Sequence, residues 1–536
     1  MRPPCDEAVI RSADLVTPCA VEARTWILAA TIIGSSMAFI DSTVVNVALP
    51  ALQTNFHATV VDVQWVVESY GLFLGALILV GGSLGDLFGR RLMFLLGVVI
   101  FSVASLGCGV AANIHQLIIT RSIQGVGAAL LVPGSLAIIS TSFDENNRGQ
   151  AIGTWSGFTA ITTAVGPLLG GWLVVHASWR WVFFINLPLA AAVIAISLWH
   201  IPESRSAAAD HVDLLGAFIV TVGLGGLVYG FIESVNLGWE NPVVLASLIV
   251  GCVCLILFLF VEANATSPML PLALFASSSF SGANLLTLFL YAAIGIFFFL
   301  FPLNLIQVQG YSATTAGAAV LPLILLIFFL SRWSGGLVTR YGPRLPLIIG
   351  PLVAALGFLL FAVPSVGGSY WRAFFPAVVV LGFGMAITVA PLTTVVMNSV
   401  DEDRVGTASG INNAVARVAG VLAIAVLGIV MVKAFGSRLN HSLVHLSLPP
   451  DLLKVIQSDE IQLAGLQVPA GLNPTTEAAV RQSIAEAFVF GFRIVMLICV
   501  GLSVASSAVA SVMIPQVTPD PSSASRDDEH RFSRRE

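Results

Sequence analysis

The chain has 536 residues, of which 57% are hydrophobic and 10% charged, with a mean hydropathy of +0.93. Soluble domains carry roughly 25% charged residues to wet their surfaces, so a set of soluble domains, a disordered chain and a nucleic-acid-binding protein are all excluded, leaving a membrane protein. The net charge of −5 names no partner, although 22 of the 24 basic residues are Arg.

Residues 1–25 hold Arg2, Asp6, Glu7, Arg11, Asp14, Glu22 and Arg24 ahead of any apolar run, which reads as a cytoplasmic tail and not as a cleaved signal. A helix needs about 20 apolar residues to cross the hydrocarbon core. Fourteen such segments follow, at 26–49, 62–83, 92–112, 115–140, 151–175, 181–201, 213–235, 241–262, 281–305, 314–338, 345–364, 371–396, 406–432 and 487–514. The segment 433–486 is expected to be a long extracytoplasmic loop packed on the outer mouth, in which Asn473-Pro474 followed by Glu477 predicts a helix start that runs into span 14. Residues 515–536 form a second tail. The six cysteines, at 5, 19, 108, 252, 254 and 499, are too scattered for a disulfide framework or a metal site and read as small apolar fillers.

Arginine and lysine set the orientation. With the N-terminus inside, cytoplasmic segments hold 14 basic residues and outer ones hold six, four of these in the long segment 433–486. Both termini are therefore expected in the cytoplasm. Trp26, Trp65, Trp179, Trp181, Trp199, Trp239 and Trp371 fall near span ends, as an interfacial belt requires.

An internal repeat is visible. Gly82-Ser-Leu84-Gly-Asp86-Leu87-Phe-Gly89-Arg90-Arg91 follows span 2, and Gly335-Gly-Leu337-Val-Thr339-Arg340-Tyr-Gly342-Pro-Arg344 follows span 10. A second pair, Arg148-Gly149-Gln-Ala151-Ile-Gly153 and Arg404-Val-Gly406-Thr-Ala408-Ser-Gly410, opens spans 5 and 13 at nearly the same offset. A six-span unit repeated in parallel around two extra spans accounts for both. The expected fold is all-α: a six-helix bundle over 26–201, two inserted helices in 207–265 and a second six-helix bundle over 280–514, with a central cavity at the repeat interface.

The motifs resemble a family at this point. Residues 26–432 are similar to the fourteen-span drug:proton antiporters of the major facilitator superfamily, the EmrB/QacA type. Asp41-Ser-Thr43-Val-Val-Asn46-Val-Ala48-Leu49-Pro50 resembles the family's first-helix motif, with Ile40 where Leu is common. Gly82 to Arg91 resembles its loop 2-3 motif, Arg121-Ser-Ile-Gln124-Gly125-Val-Gly127 its span 4 motif, and Gly157 with Gly166-Pro167-Leu-Leu-Gly170-Gly171 its span 5 antiporter motif. Trp179-Arg-Trp-Val-Phe-Phe-Ile-Asn186-Leu-Pro188 adds to the match. Leu87 departs from the Arg usual after the loop 2-3 Asp, and nothing in the resemblance covers 433–486. The resemblance implies an inner gate at Gly82, Asp86, Gly89, Arg90 and Arg91, with Asp86 near a helix N-terminus of the opposite bundle, and it ties Arg121 to proton movement.

Ionisable groups deep in spans are costly, about 2.5–3.5 kcal/mol each on insertion scales, so each invites an explanation. Asp41 reads as a proton or cation site or as a helix-end hydrogen-bonded Asp, and Glu68 as a coupling acid or a structural one. Arg121 is expected to bias Asp41 or Glu68, or to form a structural ion pair with them. Arg417, with Asn412 and Asn413, is a candidate cavity residue, while Glu233, Arg332 and Arg493 lie near span ends where they can snorkel. Gly157, Gly166, Pro167, Gly170 and Gly171 read as packing and bending positions.

The expected function is proton-coupled antiport of amphipathic, cationic drugs or toxic organic compounds in a plasma membrane of the bacterial inner-membrane kind. The alternatives are an exporter of one metabolite (siderophore, peptide, lipid or antibiotic) and a non-transporting sensor. Partners expected are a small amphipathic substrate, protons and lipid, with a periplasmic adaptor as a further candidate. Neither a cofactor nor a metal is expected, and the absence of Walker A and HExxH sequences argues against ATP use and metalloprotease chemistry.

Overall fold

The structure is a computed structural model that describes residues 21–143, 145–205, 213–265, 268–400, 405–444 and 473–516, together with 446, 453, 456 and 460–466. Residues 1–20, 517–536 and Arg404 lie outside the described residues, as do the side chains of Arg148 and Arg332, and of Gly157 only the backbone is described. Regular structure among the described residues is helical. In chain order the helices are α1 Val21–Phe56, α2 Val60–Phe88, α3 Arg90–Val110, α4 Ile114–Ser142, α5 Glu145–His176, α6 in two pieces (Trp181–Phe184 and Asn186–His200), α7 Leu214–Leu237 and α8 Pro242–Asn264. They continue as α9 Ser278–Leu303, α10 (Ala313–Ala319 and Leu321–Tyr341), α11 Arg344–Phe361, α12 Phe375–Asn398, α13 Val405–Val444 and α14 Pro474–Met513. Thirteen of them are long and apolar enough to span a membrane; in α5 the described apolar stretch is the shorter Val165–His176.

Helix starts are written in capping residues. Thr59 and Asp62 form a reciprocal capping box at α2, with the Thr59 amide donating to Asp62 at 2.8 Å. Asn113, Asn241, Ser277, Ser312 and Asn473 each accept a first-turn amide, and Pro242 and Pro474 occupy the first helical position of α8 and α14. The α2–α3 connection is the single residue Gly89 at φ +123, and the Glu203 carboxylate crowds the face where a Cβ would stand. A side chain there is excluded both by backbone conformation and by that carboxylate.

Helices α1–α6 pack on one another, chiefly α4 against α2 and α3, and α1 against α5. Helices α9–α14 do the same, chiefly α12 against α10 and α11, with α9 and α14 against α13. The inserted α7 and α8 pair together, and α7 also touches α2 and α13. The first six and last six helices are called the N-half and C-half below. The side of the molecule holding Val21 and Met513 is the terminal side, and the other is the far side.

Two expectations are corrected. The segment 433–486 is not a loop over its length: α13 continues to Val444, α14 starts at Pro474, and a 3-10 turn spans Glu460–Gly465 between them. Lys433 and Arg438 end the apolar run without ending the helix, because a helix leaving the bilayer needs no change of backbone. Trp179 is 5% exposed and no belt residue: it packs edge-on against Phe56 and Phe183 and donates to Asn55 at 3.2 Å. Trp26, Trp181, Trp199, Trp239 and Trp371 are exposed as expected.

Candidate functional site: a buried ion pair beside the seam between the halves

Three of the expected residues were Asp41, Glu68 and Arg121, and the structure joins two of them. Arg121 on α4 donates through Nη1 to Asp41 Oδ2 on α1, with both side chains essentially unexposed. The guanidinium also donates from Nε to the Val66 carbonyl at 3.1 Å and from Nη1 to Gln124 Oε1 at 2.7 Å, and its face lies 4.2 Å from the centroid of the Tyr70 ring. The other Asp41 oxygen, Oδ1, accepts from Gln124 Nε2 at 2.9 Å and from Asn186 Nδ2 at 3.4 Å. Asn186 and Gln124 both donate to Ser105, which donates to the Phe183 carbonyl. Every neighbour of the carboxylate is a donor, so the pair is satisfied as ions by four helices. A charge pair taken out of water is tolerable only with such extra hydrogen bonds. Gln124 and Asn186 stood inside motifs noted in the sequence but were not singled out; the signal was Gln124 three residues after Arg121, on the same helical face.

Glu68 is placed elsewhere. It is fully buried, and neither carboxylate oxygen has a partner among the described residues. Its helix face can be read from its neighbours. Gln64 donates to the Ile424 carbonyl at 3.4 Å, while a Cβ on Gly71 would lie 2.9 Å from Val421 and one on Gly75 3.6 Å from Arg417 Cβ. Positions 64, 68, 71 and 75 therefore form one stripe of α2 facing α13 of the C-half, antiparallel to it. Glu68 is on the opposite face of α2 from the Val66 carbonyl that binds Arg121. The acid without a partner thus lies in the seam between the halves, and the paired acid lies within the N-half.

The Gly166 to Gly171 stretch of α5 has two packing faces. A Cβ on Gly166 or Gly170 would collide with Thr43 or Val44 of α1, whereas one on Gly171 would collide with the Ala313 backbone carbonyl of α10. Gly317 of α10 faces the Pro167 carbonyl in the same way. One face holds α5 in its own half and the other closes it on the C-half. Nearby on the far side, Gln307 donates to Gln53 at 2.7 Å across the halves, and the two positions are 254 residues apart, within one residue of the offset between Gly82 and Gly335 in the sequence repeat. Gly465 in the 3-10 turn sits over both amides, and Leu463 of that turn is buried with the rare φ of +52.

A family profile described as Major Facilitator Superfamily matches residues 31–424, and the matched region contains the ion pair, Glu68 and both glycine faces. This chain belongs to the Major Facilitator Superfamily. Its similarity to "Multidrug resistance protein Stp" of Mycobacterium tuberculosis is 34% identity over 484 residues, covering 88% of each chain. To the "Tetracenomycin C resistance and export protein" of Streptomyces glaucescens it is 31% over 500 residues, covering 91% of each. The solved structure of a bacterial homologue of the human lysosomal transporter Spinster has the same fold, with a TM-score of 0.64 at 17% identity, covering 94% of this chain and all of that one. The fourteen-span organisation read from the sequence is consistent with these relatives.

In this superfamily member the described ion pairs and hydrogen bonds of the turn expected to be a gate lie within its own half. Asp86 pairs with Arg90 at 2.7 Å, and Arg91 donates to the Ile201 carbonyl at 2.9 Å and lies beside Glu203. The pair with Arg90 leaves open whether Asp86 also lies near a helix N-terminus of the opposite bundle, because residues 401–404, which lead into α13, lie outside the described residues. With Leu87 uncharged, the nearest cation is one helical turn on, and Asp86 takes it. Asn412 donates to Asn284 and Thr287 inside the C-half, at 3.1 and 2.8 Å, so it is a packing residue, while Asn413 is exposed. Arg493 donates to the Val363 and Pro364 carbonyls, just past the end of α11. Glu233 accepts from Trp65 at 2.8 Å and ties α7 to α2. Since closure on the far side rests on Gln53 and Gln307, joining Gln53→Cys to Gln307→Cys with a short bis-maleimide, in a chain lacking the native cysteines, is expected to stop turnover. Flux assays before and after cross-linking check this, and unchanged turnover in the cross-linked protein would mean the two halves need not part there.

Proposed function

We propose that this protein is a proton-driven antiporter that exports amphipathic organic compounds by alternating access. It would sit in a plasma membrane with both termini and the terminal side in the cytoplasm, and with no cofactor. The observation that carries the reading is Glu68: an acid without a partner, buried in the one surface that must separate when two halves rock apart. In the closed seam no donor holds a charge on it, so it is suited to carry a proton there and to release it when the seam opens to water. Asp41 and Arg121, one helix face away, would pass the protonation state of the seam to the packing of the N-half. Export of one compound is a narrower second reading, favoured by the relative named for tetracenomycin C. No catalytic role is assigned.

Proteoliposomes with an imposed pH gradient and a panel of amphipathic dyes test the reading. Glu68→Gln is expected to remove gradient-driven flux by a factor of ten or more while changing stability little, because the amide is a neutral isostere of the protonated carboxyl and has no proton to release. Gradient-driven flux that survives in a double Asp41→Asn, Glu68→Gln variant would exclude both acids from coupling.

A further inference from the structure

The charge that the seam offers to a ligand comes from neither acid. Both Asp41 oxygens are occupied by Arg121, Gln124 and Asn186, and Glu68 is sealed from solvent. Arg417 on α13 is in a different position. Its guanidinium carbon lies 5.8 Å from the centroid of Phe39 on α1, in the opposite half, and Phe39 stands edge-on to Trp155. Among the described residues it has neither a hydrogen bond nor an ion pair. Unlike Arg493, it has no nitrogen both sealed from solvent and without a partner, and the residue is partly exposed, on the stripe of α13 that faces α2 of the other half. Asn413 is exposed one helical turn before it, along the same side of α13.

Among the described residues no carboxylate neutralises it. Within the spans the acids far from a helix end are Asp41 and Glu68. The first is matched by Arg121, and the register of Gly71 on Val421 and Gly75 on Arg417 puts Glu68 about two turns nearer the far side. A guanidinium presents its donors as a rigid fork that fits a carboxylate or phenolate, and its weak hydration lets it work in a partly dry site. A Phe ring at its face adds a flat apolar wall on which an aromatic ligand can lie.

We propose that Arg417, with Asn413 beside it and Phe39 behind it, binds the anionic edge of the exported compound, so that the substrate class is aromatic acids (carboxylates or acidic phenols) and not cations. This rests on the reading of the seam as a transport path, and it replaces the cationic substrate expected from the sequence.

Carboxyfluorescein and rhodamine, which share a ring system and differ in charge, are the probes. Purified full-length protein is assayed for equilibrium binding of each dye by anisotropy, and for pH-driven flux of each in proteoliposomes. Expected is tighter binding and faster flux of carboxyfluorescein. Arg417→Gln is expected to weaken carboxyfluorescein binding at least tenfold while leaving rhodamine binding unchanged, and Arg417→Lys to weaken it less. Size-exclusion profiles and the unchanged rhodamine binding show that the variants are folded. Preference for rhodamine, binding of neither dye, or a ratio of the two unmoved by Arg417→Gln overturns the proposal, even where pH-driven flux shows that the protein is a transporter. Arg417-dependent binding of carboxyfluorescein with no flux of either dye would uphold the site and overturn the transport reading instead.

Discussion

Arg121→Gln, with Asp41 left in place, is expected to abolish gradient-driven flux and to destabilise the protein by about 3–5 kcal/mol, the usual cost of removing one member of a buried ion pair. The cause is what remains behind. Asp41 would keep Gln124 and Asn186 as donors but lose its only cation, at a site with no exposure to water. Converting both residues, as Asp41→Asn with Arg121→Gln, removes both charges and is expected to restore most of the lost stability while leaving flux absent. Arg121→Lys keeps the charge but cannot hold Asp41, Gln124 and the Val66 carbonyl in one plane, and flux is expected to fall at least tenfold. Thermal unfolding in lipid nanodiscs and proteoliposome flux check all three. Full flux in Arg121→Gln, or a double variant no more stable than the single one, would show that the pair does not act as a unit.

The second large effect is expected at Gly171 and Gly317. Each faces backbone of the other half, and backbone cannot swing aside as a side chain can. Val at either position would part α5 from α10 or strain both, at a cost of about 1–3 kcal/mol. If the far-side-closed state is favoured by a similar amount, that shift changes its population by roughly tenfold to a hundredfold. The expected result is lower cross-linking between Gln53→Cys and Gln307→Cys and a proton leak without substrate. Gly166→Val is the contrast: its Cβ would meet Thr43 within the same half, so it should lower stability without opening the leak. A leak as large in Gly166→Val as in Gly317→Val would contradict the assignment of the two faces.

Much of this was legible in the sequence because membrane spans are long, apolar and punctuated by capping residues. The fourteen spans, the Asn473-Pro474 start of α14 and the candidate partnership of Asp41 with Arg121 all follow from one-dimensional pattern. What was hidden was the side of the helix on which a group lies and what waits across from it. Asp41 and Glu68 look alike in sequence, each an acid within an apolar stretch; only the stripe from Gln64 to Gly75 shows that one is inside a half and the other between halves. The same holds for the antiporter motif, whose glycines look equivalent until Gly171 is seen against another half. Lys433 and Arg438 misled the reading of 433–486, since hydropathy reports the bilayer and not the helix.

The lengths of α13 and α14 carry one more consequence. Forty residues of helix measure about 60 Å, twice the thickness of the hydrocarbon core, so both project well past the bilayer on the far side, where they pack together. Between them the Glu460–Gly465 turn reaches across to α1 and α2. The C-half thus has a rigid handle with one finger on the N-half. In the proposed orientation, with the far side facing out of the cell, a nanobody that clamps this handle would hold the two halves shut, inhibiting transport without a molecule that must itself enter the cell and escape export.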